Sequence, residues 1–160
     1  MTVKIGDKIP SATLMQMKDG SPKPVKTDDF FAGRKVVLFA LPGAFTPTCS
    51  AKHLPGYIQL VDKIKAKGVD AIACLSVNDA FVMGAWGEQQ GAGDKVVMLA
   101  DGNGDLTKAL GLEMDGSKFG MGMRSQRYAM LVDDGVVAKL FVEEPGAFEV
   151  SSAEHMLEQL

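Results

Sequence analysis

The sequence predicts an α/β protein built on a central mixed β-sheet flanked by helices, and three observations carry that prediction. Short apolar runs at 36–41, 69–77 and 95–100 alternate with segments of helical spacing, which implies parallel strands joined by helical crossovers. Two later runs, 127–132 and 136–142, are separated by Asp133-Asp-Gly135 and read as an antiparallel hairpin. No internal repeat, linker or low-complexity tract interrupts the 160 residues, a length that supports one proper core but not comfortably two. One domain over residues 1–160 is expected.

The elements follow in order. Residues 1–34 form an irregular opening, in which 12–17 mix polar and apolar positions as a short edge strand does and 18–22 supply a turn. Residues 27–31 have helix-start character, ended by Gly33. The six apolar residues 36–41 read as a strand buried on both faces. A helix opens near Thr48 and runs to about Lys67, with Leu54, Ile58 and Val61 on one face and Tyr57, Leu60 and Ile64 beside them. Lys63, Lys65 and Lys67 suit the negative end of its dipole, and Gly68 offers a C-cap. Pro55 lacks an N–H and crowds the carbonyl of Ala51, so it is expected to kink this helix and tip its first turn away from the sheet.

After the strand at 69–77, Asn78-Asp79 make a good N-cap for a helix that places Val82, Ala85, Trp86 and Gln89 at helical spacing and stops at Gly91. The strand at 95–100 ends in the turn Asp101-Gly-Asn-Gly104, and Leu106, Ala109 and Leu110 mark a short amphipathic helix. Ser151 with Glu154 resembles a capping box for a closing helix through Ala153, Met156, Leu157 and Leu160. This order, with a late antiparallel hairpin, fits a thioredoxin-like fold.

Composition narrows the function classes. A net charge of −3 argues against nucleic acid or an anionic membrane as partner, and no stretch approaches the length of a membrane span. The opening residues lack the apolar core of a signal peptide, so a cytoplasmic location is expected. Cys49 and Cys74 are too few for a disulfide framework, and with only His53 and His155 they provide no metal-ligand spacing. Neither a metal nor a cofactor is called for.

The chemistry concentrates in Leu41-Pro-Gly-Ala-Phe-Thr-Pro-Thr-Cys-Ser50. Two prolines and a glycine restrict the loop before any packing is considered. The loop delivers Cys49 from a buried strand onto a helix N-terminus, where free backbone N–H groups and the helix dipole favour thiolate over thiol. A redox pair of the Cys-x-x-Cys type is absent: Thr46 stands three residues before Cys49, so the loop cannot close a two-residue disulfide. The Thr46 hydroxyl can accept from a protonated sulfur or a hydroperoxide, and donate to a thiolate or a developing oxyanion. Left to itself, an isolated cysteine at a helix start is more often inert, but an inert turn has no need for this rigidity.

Pro42-x-x-x-Thr46-x-x-Cys49 resembles the active-site signature of the peroxiredoxins. The longer Pro42-Gly-Ala-Phe-Thr-Pro-Thr-Cys-Ser50, followed by His53-Leu-Pro-Gly-Tyr57 and Ser76-Val-Asn-Asp79, is similar to the type II or Prx5-like branch of the AhpC-TSA superfamily. The resemblance implies a thioredoxin-like fold and a thiol-dependent peroxidase acting on hydrogen peroxide and organic hydroperoxides in antioxidant defence. It implies that Cys49 is the peroxidatic cysteine, that Thr46 hydrogen-bonds sulfur and substrate oxygen, and that Pro42 shields the sulfur. It also implies an arginine just before a late strand; Arg127 is the match and Arg124 the alternative. A guanidinium beside the sulfur would stabilise the thiolate and polarise the leaving oxygen.

Some members of that branch resolve the oxidised sulfur with a cysteine near the C-terminus, where this chain has Glu149-Val-Ser-Ser-Ala153. A one-Cys cycle closed by glutathione with glutaredoxin, or by thioredoxin, is therefore expected. Cys74, inside an apolar strand, reads as a small buried hydrophobe. His53 lies one turn after Cys49 but lacks an orienting third residue, so a hydrolase dyad is disfavoured and a supporting or surface role expected. Met121 and Met123 are expected to border the site. The family likeness further implies a homodimer packed through the active-site face, to which Phe45, Phe81 and Phe119 are candidate contributors.

Overall fold

In the computed structural model, which describes residues 1–160, the chain opens with an antiparallel pair, β1 (Thr13–Lys18) and β2 (Ser21–Lys26). The single turn α1 (Thr27–Phe30) leads to β3 (Lys35–Ala40), the long α2 (Leu54–Lys65), β4 (Ala71–Ser76), α3 (Ala80–Gln90) and β5 (Val97–Ala100). A short α4 (Asp105–Leu110), the small ribbon β6 (Glu113–Asp115) with β7 (Met123–Ser125), the hairpin β8 (Tyr128–Asp133) with β9 (Val136–Val142), and α5 (Ala153–Gln159) complete it. The central sheet has seven strands in the order β2-β1-β5-β4-β3-β8-β9. β3, β4 and β5 run parallel, and β1 and β8 join them antiparallel, so the sheet is mixed as the sequence predicts. Asp134 and Gly135 both adopt left-handed backbone angles, +48° and +79°, the conformation that a tight hairpin turn of matching twist requires.

β3 shows how the sheet divides the interior. Val37 and Phe39 enter one core with Tyr57 and Ile64 of α2, Trp86 of α3 and Met156 of α5. Val36, Leu38 and Ala40 enter the other with Phe31, Leu106 and Leu110. Both faces are covered, which is why the strand reads as an unbroken apolar run rather than an alternation. Cys49 and Cys74 share the first core, on the α2 side of the sheet.

Several local expectations need correction. β1 is an interior strand, because β2, which the sequence reading treats as turn and connection, pairs along its whole length. Pro22 and Pro24 disguise β2 as irregular chain, yet they are tolerated where one side of a strand is unpaired. On α3 the buried residues are Ala80, Met83, Trp86 and Gly87, whereas Ala85 and Gln89 face solvent. On α4 the buried partner of Leu106 and Leu110 is Thr107, and Ala109 is exposed. The N-cap of α5 is Ser152, whose hydroxyl accepts from the His155 N–H; the Ser151 hydroxyl is engaged by Glu143 instead.

The largest correction concerns Pro55. Residues Cys49–His53 form a π-helical turn, closed by the Leu54 N–H on the Cys49 carbonyl five residues back. Residue 55 has no N–H to continue an i−4 ladder, and the ladder shifts register just ahead of it. Pro55 itself sits in the first turn of α2, where no N–H is required. The wider turn does not swing the helix start outward. Cys49 is 0% exposed and packs in the core.

Candidate active site

The loop after β3 is held from several sides. The Leu41 N–H donates to the Leu75 carbonyl at 3.3 Å, continuing the β3–β4 pairing past the strand end. The Ala44 N–H donates to Asn78 Oδ1 at 2.9 Å, and the Ser76 hydroxyl donates to the same oxygen at 2.6 Å. Asn78, expected as part of a helix cap and of the Ser76–Asp79 motif, ties the end of β4 to the loop, while Asp79 caps α3. Gly43 is needed for close approach, because a Cβ there would meet Arg124 Nη1 at 2.8 Å and Thr46 Cγ2 at 3.3 Å. Phe45 takes a left-handed φ of +64°, costly for a bulky residue, with its ring half exposed and its centroid 6.4 Å from that of Trp86. The Trp86 indole N–H in turn donates to the Ser50 hydroxyl at 3.0 Å, pinning the helix start to α3.

Arg127 meets Cys49 across this frame. Its Nη2 donates to Cys49 Sγ at 3.2 Å, and its Nη1 lies 2.9 Å from His53 Nδ1. The expected arginine is therefore at the sulfur. Arg124 is not: it donates from Nε to the Met121 carbonyl at 3.0 Å and from Nη1 to the Pro42 carbonyl at 3.3 Å, bracing the loop from outside. Met121 borders the loop through these contacts, whereas Met123 is exposed. The Thr46 hydroxyl donates to the Gly43 carbonyl at 2.7 Å, so its proton is committed to the loop and its lone pairs remain to accept from a protonated sulfur or a substrate O–H. Pro42 lines a cleft of about 510 Å³ together with Thr48, Glu113, Phe119, Arg127 and Glu144.

His53 is not a surface residue: it is fully buried, against Phe39, Tyr57 and Phe148 with ring centroids 5.0, 5.8 and 5.1 Å away. Its Nε2 lies 3.0 Å from the Ser151 carbonyl, which also accepts from the Tyr57 hydroxyl at 2.9 Å. Burial, and then the Arg127 charge, lower its pKa from the ordinary 6.5 to about 3, so the ring stays neutral. The Glu143 carboxyl is pushed up by burial. Hydrogen bonds from the Ser151 hydroxyl and from the Ser151, Glu149 and Val150 amides outweigh that and hold it below its ordinary value.

Both shifts point the same way in acid. A folded state that refuses a proton taken up by the unfolded chain is stable above the unfolded pKa and loses stability as pH falls. For His53 the loss begins below 6.5 and continues towards 3, with a slope of up to about 1.4 kcal/mol per pH unit for one proton. Urea unfolding from about pH 7 to pH 4 is expected to show a shallower decline in His53→Asn than in the native protein. Parallel declines would refute a buried, neutral His53.

Cys74 lies opposite Phe39 in the β3–β4 register and is a fully buried free thiol. Burial, and then the Cys49 charge, push its pKa well up against a smaller opposing effect of Arg127, which keeps it protonated and unreactive. Sequence reasoning named the cysteine, the loop and the arginine. It missed His53, Ser151, Glu143 and Phe148 as a group, because they come together only when the segment before α5 folds back over α2. The one available signal was a histidine a turn after the cysteine.

The chain resembles known proteins along its whole length. A family model described as redoxin matches residues 4–157. Peroxiredoxin-2E-2, chloroplastic, from Oryza sativa subsp. japonica is 60% identical over 164 residues, covering 99% of this chain and 73% of that protein. A crystal structure of reduced Prx3 in complex with H2O2 from Vibrio vulnificus superposes with a TM-score of 0.95 at 58% identity, covering 99% of each chain. Peroxiredoxin 5 from Alvinella pompejana superposes with a TM-score of 0.87 at 40% identity, covering 98% of this chain and 96% of that one. One expectation falls here. Relatives described as chloroplastic overturn the cytoplasmic placement, since opening residues without the apolar core of a signal peptide argue against secretion and do not name a compartment.

Proposed function

This chain belongs to the redoxin family as a Prx5-like peroxiredoxin, a thiol-dependent peroxidase of antioxidant defence, and on that premise we propose that Cys49 performs the reduction with Arg127, Thr46 and Pro42 serving it. The observation that carries the assignment is the Arg127 guanidinium donating to Cys49 Sγ at 3.2 Å. The thiolate attacks the outer oxygen of a hydroperoxide, the O–O bond breaks, and Cys49 becomes a sulfenic acid. The departing oxygen leaves as alkoxide or hydroxide and takes up a proton, giving alcohol or water. Arg127 stabilises charge first on sulfur and then on that oxygen, Thr46 accepts from the substrate O–H, and Pro42 walls the sulfur from bulk water. Hydrogen peroxide and organic hydroperoxides are the substrates, entering through the cleft beside Pro42.

The cycle closes with an external thiol. One glutathione condenses with the sulfenic acid to a mixed disulfide and water, and a second thiol, from glutathione, glutaredoxin or thioredoxin, regenerates the Cys49 thiol. A fully buried sulfur cannot meet a tripeptide in place, so the π-turn must open for this step. Glutathione-linked turnover of Cys74→Ser is expected to match that of the native protein, with no intramolecular disulfide detected by mass spectrometry. Turnover lost in that variant alone would overturn the one-Cys cycle. A homodimer packed through the active-site face is part of this reading, supported by the exposed Phe45 and Phe119 near the loop and cleft; sedimentation as a monomer would sink it.

A further inference from the structure

We propose that His53 is a positioning residue for the Cys49–Arg127 pair: its bare Nδ1 fixes one guanidinium nitrogen so that the other is aimed at the sulfur. The proposal rests on the peroxidase reading above. An arginine has donors only, so the 2.9 Å contact between Arg127 Nη1 and His53 Nδ1 requires a lone pair on Nδ1. The single proton of a neutral ring is then on Nε2, where the Ser151 carbonyl accepts it at 3.0 Å. A guanidinium is planar and rigid, so holding Nη1 sets the direction of Nη2, which lies 3.2 Å from Cys49 Sγ.

The ring cannot turn to release this contact. Phe39 of β3, Tyr57 of α2 and Phe148 surround it, and Phe148 also lies 5.8 Å from the guanidinium carbon of Arg127. The Ser151 carbonyl is itself held. The Tyr57 hydroxyl donates to it, and the Ser151 N–H and hydroxyl donate to Glu143 Oε2 at 2.8 and 2.6 Å. The Glu149 N–H reaches the same oxygen at 2.7 Å. A chain of contacts thus runs from Glu143, just after β9, through Ser151 and His53 to Arg127 and the sulfur. The charged and titratable groups facing this region are Arg127 before β8, Glu143 after β9, Tyr57 on α2, Glu154 on α5, Cys49 in the π-turn and Cys74 on β4. Of these, Arg127 alone contacts Nδ1. An arginine on a flexible stem, half-buried at the cleft, would otherwise sample many rotamers that miss the sulfur.

Two substitutions separate positioning from packing. His53→Asn keeps an acceptor near the place of Nδ1, whereas His53→Leu keeps bulk and removes it. The readouts are the rate constant of Cys49 oxidation by hydrogen peroxide, its pH profile and the melting temperature. His53→Leu is expected to slow oxidation roughly ten- to a hundredfold, the scale of losing one charge-assisted hydrogen bond, and to move the acid limb of the profile upward. His53→Asn recovers most of the rate even though both variants melt lower. A His53→Leu variant with native rate and profile overturns the proposal, as does an Asn variant as slow as Leu. Should neither variant fold, nitrogen-15 NMR of the native protein decides. A neutral ring protonated at Nε2 from about pH 8 to pH 5 supports the assignment, and an Nδ1–H tautomer or a cationic ring refutes it. If the native protein itself fails to reduce peroxide, the peroxidase reading falls separately, and the same NMR measurement together with iodoacetamide alkylation of Cys49 in the variants still decides the positioning role.

Discussion

Cys49→Ser is expected to consume hydrogen peroxide no faster than buffer does, a loss of at least about a thousandfold. The nucleophile is a thiolate; a serine hydroxyl in the same place stays protonated and forms no sulfenic acid. The substitution costs little structurally, since serine is smaller than cysteine and the π-turn is closed by backbone atoms, the Leu54 N–H on the residue 49 carbonyl. Cys74→Ser serves as the contrast. It buries a hydroxyl in an apolar strand and so loses stability, while leaving peroxide reduction near the native rate. Stopped-flow consumption of hydrogen peroxide by the two variants checks both statements. Fast consumption by Cys49→Ser would sink the assignment of the nucleophile.

Arg127→Met should lower the rate of Cys49 oxidation by roughly a hundred- to a thousandfold, the range found when a single preorganised donor is removed from developing charge. Methionine keeps much of the length and apolar character of the stem, while the guanidinium carbon 5.8 Å from the Phe148 ring is lost. What disappears is a cation beside the sulfur and both of its directed contacts. Arg127→Lys recovers only part of the rate, because an ammonium on a flexible stem cannot reproduce a planar fork that reaches His53 and Cys49 together. Arg124→Met, which leaves these contacts intact and removes a brace on the Pro42 and Met121 carbonyls, is milder. Oxidation of the Arg127→Met variant within about twofold of the native rate would exclude Arg127 from the transition state.

The fold was legible where one element carries its own pattern. The apolar run of β3, the strand of β4, the Asp79 cap and the β8–β9 turn each follow from local residues, and the structure has them where the sequence places them. β2 was illegible, because Pro22 and Pro24 suppress its strand signal and only pairing with β1 makes it a strand. The buried face of α3 was misread for a related reason: Gly84 and Gly87 carry no side chain, so periodicity cannot show that the helix lies close against Met17 of β1 and Met98 of β5.

The sequence by itself determined the chemistry on offer: a single usable thiol at a helix start, a rigid Pro-Gly-Pro loop before it, no second cysteine within reach along the chain, and an arginine ahead of a late strand. Those are properties of residue identity and short spacing, and they survive without coordinates. The tertiary structure alone decided which arginine reaches the sulfur, that the π-turn keeps Cys49 inside, and that His53 is buried and bonded to Arg127 and Ser151. The reason is separation in sequence. Cys49 and Arg127 are 78 residues apart and His53 and Ser151 are 98 apart, so their meeting depends on how the sheet orders its strands and how the segment before α5 returns, not on any local pattern.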